Sequence, residues 1–153
     1  MRGFADMDAR AKALAGFYGG PTWRQHRQAA NATMIDSDNV LLLRPARPGS
    51  GLRVSEPRAP HPAGTGTALF EAGLCLLDAP AQDGFLARFE QTLALRLRAA
   101  GAELVGVYVT EMAANTFPRL PVREGERVLV WLARFDDVQA HHRYEVALVA
   151  DGA

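Results

Sequence analysis

The segment "RVLVWLARF", Arg127 to Phe135, is apolar on both of the faces that a β-strand would present. Side chains alternate between the two faces of a strand, so one face carries Val128, Val130 and Leu132 and the other carries Leu129, Trp131 and Ala133. A soluble monomer rarely exposes an apolar patch of more than a few hundred Å2. The sheet that contains this strand is therefore predicted to be covered on both sides, by helices on one side and by a second sheet on the other.

The chain from residue 67 onward alternates between strand patterns and helix patterns. The predicted order is a strand over 67–78, a helix over 83–101, two strands over 103–112 and 127–135, and a helix over 136–150 that Asp136 or Asp137 caps. This β-α-β-β-α order is that of a ferredoxin-like unit without its last strand. The fold class is therefore predicted to be α+β, with ferredoxin-like repeats and antiparallel sheets.

The chain before residue 67 carries helix signals and then a breaker-rich stretch. Asp6 is predicted to cap a helix that ends at Gly19-Gly20, and Pro21 begins a second helix. A short strand, "VLLLR", ends at Pro45, and the stretch from Pro45 to Gly66, both included, contains five prolines and four glycines. We expect residues 1–44 to end a first repeat, residues 45–66 to be a linker, and residues 67–150 to be a second repeat.

Two distant segments resemble each other. "GFADMDAR", from Gly3, matches "RFDDVQAH", from Arg134, with phenylalanine, aspartate and alanine in register. If both are junctions between a strand and a helix, the elements expected before the first segment and after the last helix are missing. Repeats need their neighbours to bury their apolar faces, so we expect a chain that is trimmed at both ends and that either self-associates or folds poorly.

Two longer motifs carry a family resemblance. "FYGGPTWRQHRQAANATMIDSDNVLLLRP", from Phe17, and "VTEMAANTFPRLPVREGERVLVW", ending at Trp131, resemble the NIPSNAP family of the dimeric α/β-barrel superfamily. The resemblance implies ferredoxin-like repeats whose sheets pack face to face as a dimeric α/β barrel, within one chain or between two. It also implies a bacterial protein of unassigned activity.

His26 is the histidine that lies inside a well-formed motif, on the helix that begins at Pro21. Trp23 and Ala30 lie one helical turn to either side, so His26 can face inward. It is a candidate proton-transfer group or axial ligand, and Trp23 a candidate pocket residue. The alternative is a histidine that only packs the helix. Since no histidine, cysteine or carboxylate stands three or four residues away, no metal site is predicted.

The loop "NTFPRLPVREGER", from Asn115, is long and rich in proline and arginine. Arg119 and Arg123 could clamp a carboxylate, either that of Glu111 at the end of the preceding strand or one on a ligand. The alternative is a braced connection, in which the prolines and arginines hold the loop together. Because loops of this length need internal tethers whatever their function, the braced connection is favoured.

Composition excludes several classes of partner. Seventeen basic and 17 acidic residues balance, so no net field attracts nucleic acid or an anionic membrane. No apolar run approaches the ~20 residues of a membrane helix. The single cysteine, Cys75, has apolar neighbours and is interpreted as a buried structural thiol rather than a nucleophile. With no disulfide signature and no signal peptide, a cytoplasmic protein is predicted.

These observations favour a binding protein that needs no cofactor. We expect a NIPSNAP-like module for a small ligand or a protein partner, homo-oligomeric through sheet packing, with an apolar or carboxylate ligand. The alternative is an enzyme of the dimeric α/β-barrel kind, either a cofactor-independent oxygenase or isomerase, or a haem binder. An apolar cavity reached by His26 or Glu111 would favour the enzyme, and an interior filled by Trp131 and Phe70 would favour the interaction module.

Overall fold

The computed structural model describes residues 1–36, 38–53 and 67–152. The described residues form, in chain order, the elements α1 (Met7–Gly19), α2 (Pro21–Ala32), β1 (Leu43–Pro45), β2 (Leu69–Leu76), α3 (Asp83–Gln91), α4 (Leu93–Ala99), β3 (Glu103–Thr110), β4 (Val128–Phe135) and α5 (Val138–Ala150). The predicted β-α-β-β-α order from residue 67 onward is confirmed, except that its first helix is divided in two.

The chain divides into two compact units that do not follow its linear order. The first, here the helical unit, comprises Met1–Leu42 and Glu111–Glu126; the second, here the sheet unit, comprises Leu43–Thr110 and Arg127–Ala153. The loop between β3 and β4 therefore belongs with α1 and α2, whereas the sequence placed it in the second repeat. The first part of the expected linker, up to residue 53, lies in the sheet unit, and residues 54–66 lie outside the described residues.

The sheet unit is an α+β structure built on one antiparallel sheet. Its four strands lie in the order β1-β3-β4-β2, and β4 pairs along its full length with β2 and along most of its length with β3. This arrangement is compatible with a ferredoxin-like fold. Pro45, expected to end a strand, instead pairs with Tyr108, which an edge strand such as β1 tolerates because the missing N–H need not enter the ladder.

One face of the sheet is covered by helices. Side chains of α3, α4 and α5 pack on the β4 residues whose side chains share that face; the buried cluster includes Leu86, Phe89, Leu97, Tyr144, Leu129, Trp131, Ala133 and Phe135. The residues predicted for this face of β4 are thus in the core. Ala133 and Leu129 are essentially inaccessible to solvent.

The prediction of one continuous helix over residues 83–101 is wrong, because the helix is interrupted at Thr92. The chain leaves helical geometry at Thr92, where φ is −120° and ψ is −85°. The Thr92 hydroxyl donates a hydrogen bond to the Arg88 carbonyl at 2.6 Å. Side-chain bonding of threonine to the preceding turn bends helices, and a hydrophobic pattern that runs on at helical spacing does not reveal it.

The two matched segments cap their helices with the same geometry, but only the second follows a strand: β4 precedes α5, whereas the described residues before α1 form no strand. Asp6 precedes α1 with φ −158° and ψ −178°, and accepts a hydrogen bond from the Ala9 amide at 2.7 Å. Asp137 precedes α5 with φ −159° and ψ 177°, and accepts one from the Ala140 amide at 2.7 Å. Both are aspartate N-caps, so the matched sequence segments begin helices in the same way.

Candidate functional site

The loop between β3 and β4 is held by a network around Asn115. The Asn115 side-chain oxygen accepts from the Phe117 amide and from Arg10 Nη1, both at 3.0 Å, and its amide nitrogen donates to the Leu120 carbonyl at 3.0 Å. Thr116 donates to the Met7 carbonyl of α1 at 3.0 Å. The loop is thus a braced connection, but its asparagine supplies more of the bracing than its arginines.

Arg10 is the buried cation of the helical unit, at 4% exposure. Its Nη1 donates to Asn115 and, at 3.3 Å, to Thr116, and no carboxylate within the described residues forms an ion pair with it. Burial lowers the pKa of Arg10, because a charge loses solvation when water is excluded. Neutral acceptors therefore replace the acidic partner that a buried arginine usually has.

Trp23 lies in an aromatic cluster of the helical unit. It contacts Tyr18 edge-on with ring centroids 4.8 Å apart and Phe17 at 5.6 Å, and Tyr18 stacks on Phe117 at 5.7 Å. The cluster joins α1, α2 and the loop after β3. Trp23 therefore packs the helical unit together and, as a half-buried residue, offers little free surface to a ligand.

Within the described residues, the other candidate side chains form no hydrogen bond or ion pair with one another, and so no common binding site. His26 is exposed on α2, although the helical spacing allowed it to face inward. Glu111 accepts from the Ala113 amide at 2.8 Å and so closes a turn. Arg123 pairs with Glu126 at 2.8 Å and also donates to Asn39, while Arg119 is exposed and has no hydrogen bond or ion pair among the described residues. No carboxylate clamp is formed by these side chains.

The face of the sheet opposite the helices carries an exposed apolar row on β2. Phe70 is 61% exposed, Leu74 47% and Leu76 68%, and Ala72 between them is exposed too. Their neighbours on β4, Val130 and Val128, are buried. Within the sheet unit, among the residues described, no second sheet covers this row.

The sheet unit also has an open groove of about 840 Å3 beside β3. Its apolar lining includes Leu86, Phe89 and Leu104. Arg98 also lines it and forms no ion pair with any described residue, whereas Arg134 is paired with Glu103 at 2.8 Å. The groove is large enough for a small organic ligand, but neither His26 nor Glu111 lines it.

The sequence did not reveal a polar cluster on the helical side of β2. His141 Nε2 lies 2.7 Å from Glu71 Oε2, and the Tyr144 hydroxyl donates to Glu71 Oε1 at 3.4 Å. Burial, and then the Glu71 charge, raises the pKa of Tyr144 to about 12. The available signal was Glu71 itself, a carboxylate at an inward position of an apolar strand; its partners lie about 70 residues further on.

The described part of the chain contains neither a candidate metal-binding cluster nor a candidate membrane-spanning helix. No group of three or more histidine, cysteine, aspartate or glutamate side chains there could hold a metal ion. No helix there combines the length and the apolar character needed to cross a bilayer.

Comparison of the chain with protein-family models, with curated proteins and with solved structures found no match.

Proposed function

We propose that this chain is a NIPSNAP-like interaction module that self-associates by packing its sheet against a second sheet, as in a dimeric α/β barrel. The observation that carries the proposal is the exposed row of Phe70, Leu74 and Leu76 on the side of the sheet that faces away from the helices. The two long motifs that resemble the NIPSNAP family support the same assignment.

The physical argument is the hydrophobic effect. Each ~100 Å2 of apolar surface removed from water contributes about 2.5 kcal/mol before the entropy of association is subtracted. Phe70, Leu74 and Leu76 are about half exposed or more and lie on one face, with the exposed Ala72 between the first two. They therefore form a continuous strip rather than scattered surface residues. A second sheet carrying the same strip would cover it, since symmetric pairs bury the same patch on both copies.

A pair of matched serine variants tests this proposal. Leu74→Ser removes an apolar side chain from the strip, and Leu95→Ser makes the same change on α4, where the leucine is 56% exposed. In sedimentation velocity we expect wild type to self-associate, Leu74→Ser to associate at least tenfold more weakly (about 1.4 kcal/mol), and Leu95→Ser to match wild type. A wild-type chain that stays monomeric at every concentration, or equal effects of the two substitutions, would contradict the proposal.

The groove beside β3 favours a second role, binding of an apolar anion. An apolar lining with two arginines that form no ion pair with a described residue, Arg53 and Arg98, suits a carboxylate that carries a hydrophobic body. The test is titration with an apolar sulfonate dye whose fluorescence rises on binding. Arg98→Gln should weaken binding several-fold, while Arg88→Gln, a change to an exposed arginine outside the groove lining, should not. If wild type and Arg98→Gln bind the dye with equal affinity, this role is refuted.

The enzymatic alternative has no comparable support. His26, its proposed acid/base or haem ligand, is exposed and does not line the groove. Addition of haem tests it directly: a shifted Soret band that is lost in His26→Ala would favour a haem binder over the interaction module.

A further inference from the structure

Strand β2 ends the sheet and has a free outer edge. All eight of its residues pair with β4 on one side, and no described strand pairs with it on the other. A free edge presents a row of unpaired N–H and C=O groups, to which another strand can be added.

The hydrogen bond that follows β2 shows which residues face that edge. The Leu77 amide donates to the Arg127 carbonyl at 2.8 Å, in the same register as the β2–β4 pairs. Successive residues of a strand direct their backbone groups to opposite sides, so Cys75, Gly73 and Glu71 bond to β4. Phe70, Ala72, Leu74 and Leu76 therefore direct their N–H and C=O groups outward, and these are the residues whose side chains are exposed.

The edge lacks the features that usually prevent strand pairing. Such edges are protected by short length, proline, lysine or bulges, and β2 is eight residues long, without proline, basic residues or a bulge against β4. Its one charged side chain, Glu71, points to the helical side and is held by His141 and Tyr144. No charge on β2 would therefore meet a like charge on an added strand.

We propose that β2 of a second copy of this chain pairs with this edge in antiparallel orientation, which joins two sheets into one of eight strands. A two-fold axis at Ala72 or at Gly73 places outward-facing residues opposite outward-facing residues along nearly the whole strand. Phe70 then lies beside Leu74 or Leu76 of the second copy, so the apolar row continues across the junction. The edge is thus self-complementary in hydrogen bonding, charge and polarity.

This inference deepens the proposed interaction function by adding a contact that is distinct from face-to-face packing. Face packing depends on the side chains of the row, whereas edge pairing depends on the outward N–H groups of β2. A substitution can therefore disrupt face packing without edge pairing, or the reverse. If both contacts form, the chain assembles into particles larger than a dimer.

A proline at position 72 tests the edge contact. Ala72→Pro removes an outward N–H that makes no bond to β4 and leaves the apolar row intact; edge strands tolerate proline at such positions. Ala72→Val is the matched control, since it keeps the N–H and suits a strand. We expect Ala72→Pro to weaken one association step at least tenfold in sedimentation velocity, with an unchanged circular dichroism spectrum, and Ala72→Val to retain that step.

Amide hydrogen exchange gives an independent measurement if Ala72→Pro does not fold. In wild type, the amides of Gly73 and Cys75 should be protected at every protein concentration because they bond to β4. Those of Leu74 and Leu76 should become at least tenfold more protected only as the chain associates. If the chain associates without a rise in the protection of the Leu74 and Leu76 amides, the edge contact is refuted and face packing remains. If the protection of these amides rises but Leu74→Ser does not weaken association, face packing is refuted instead.

Discussion

The indole ring of Trp131 occupies the space that a side chain on Gly73 would need. The two residues are direct partners across β2 and β4, and a Cβ atom on Gly73 would overlap the six-membered ring of Trp131, at a separation that real Cβ atoms do not show. Glycine weakens a strand, but here it permits a buried tryptophan at the centre of the core.

Gly73→Ala should therefore destabilise the sheet unit. The tryptophan is wedged between β2 and the helices, and overpacking of this kind costs about 1–3 kcal/mol. Gly16→Ala is the control, since a Cβ there meets nothing within 4 Å and removal of a mid-helix glycine stabilises by roughly 0.5–1 kcal/mol. Urea unfolding measures both, and a neutral Gly73→Ala would show that the core around Trp131 is loosely packed.

The aspartate caps of α1 and α5 should contribute equally to stability. Asp6 and Asp137 have the same backbone geometry and the same 2.7 Å bond to an amide three residues on, so replacement of either by alanine should cost about 1 kcal/mol. Replacement by asparagine, which also caps helices well, should cost little. The check is the free energy of unfolding of the four variants, and a cost in only one of the two alanine variants would refute structural equivalence.

Asn115→Ala should destabilise the helical unit more than an ordinary loop substitution. Asn115 makes three hydrogen bonds, of which one satisfies the buried Arg10. Loss of partners to buried groups costs about 1–3 kcal/mol per group, so we expect roughly 2–4 kcal/mol in total. Arg119→Ala, at an exposed position of the same loop, should change the free energy of unfolding by less than about 0.5 kcal/mol. Equal effects in urea unfolding would argue against the bracing role of Asn115.

Stability should fall at high pH because of Tyr144. Its folded pKa of about 12 lies above the ordinary value of 10.0, so between these values the unfolded chain releases the proton while the folded chain keeps it. The stabilisation is complete below pH 10 and is lost as pH rises towards 12, by roughly 3 kcal/mol at most. Tyr144→Phe should remove this part of the pH dependence, and a parallel loss of stability in both proteins would refute the assignment.

Local signals in the sequence predicted most of the elements. Asp6, Pro21 and Asp137 begin helices where caps and first-turn prolines predict, because those contacts span only a few residues. The break at Thr92 was missed because one side-chain hydrogen bond decides it. The contact between Glu71 and His141 could not be predicted, since the fold brings together residues 70 positions apart. His26 illustrates a further limit: helical spacing defines a face but not whether anything covers it.

The split of the helical unit between Met1–Leu42 and Glu111–Glu126 has a consequence for synthesis on the ribosome. The paired helices α1 and α2 emerge early, but the loop that supplies Asn115, Thr116 and Phe117 follows only after β2, α3, α4 and β3 have been translated. Until then Arg10 and the aromatic rings lack the partners that bury them. In the nascent chain, Tyr18 therefore remains without the Phe117 ring on which it later stacks. This is the stage of synthesis at which a chaperone or a protease that binds aromatic side chains finds those of α1 and α2 accessible.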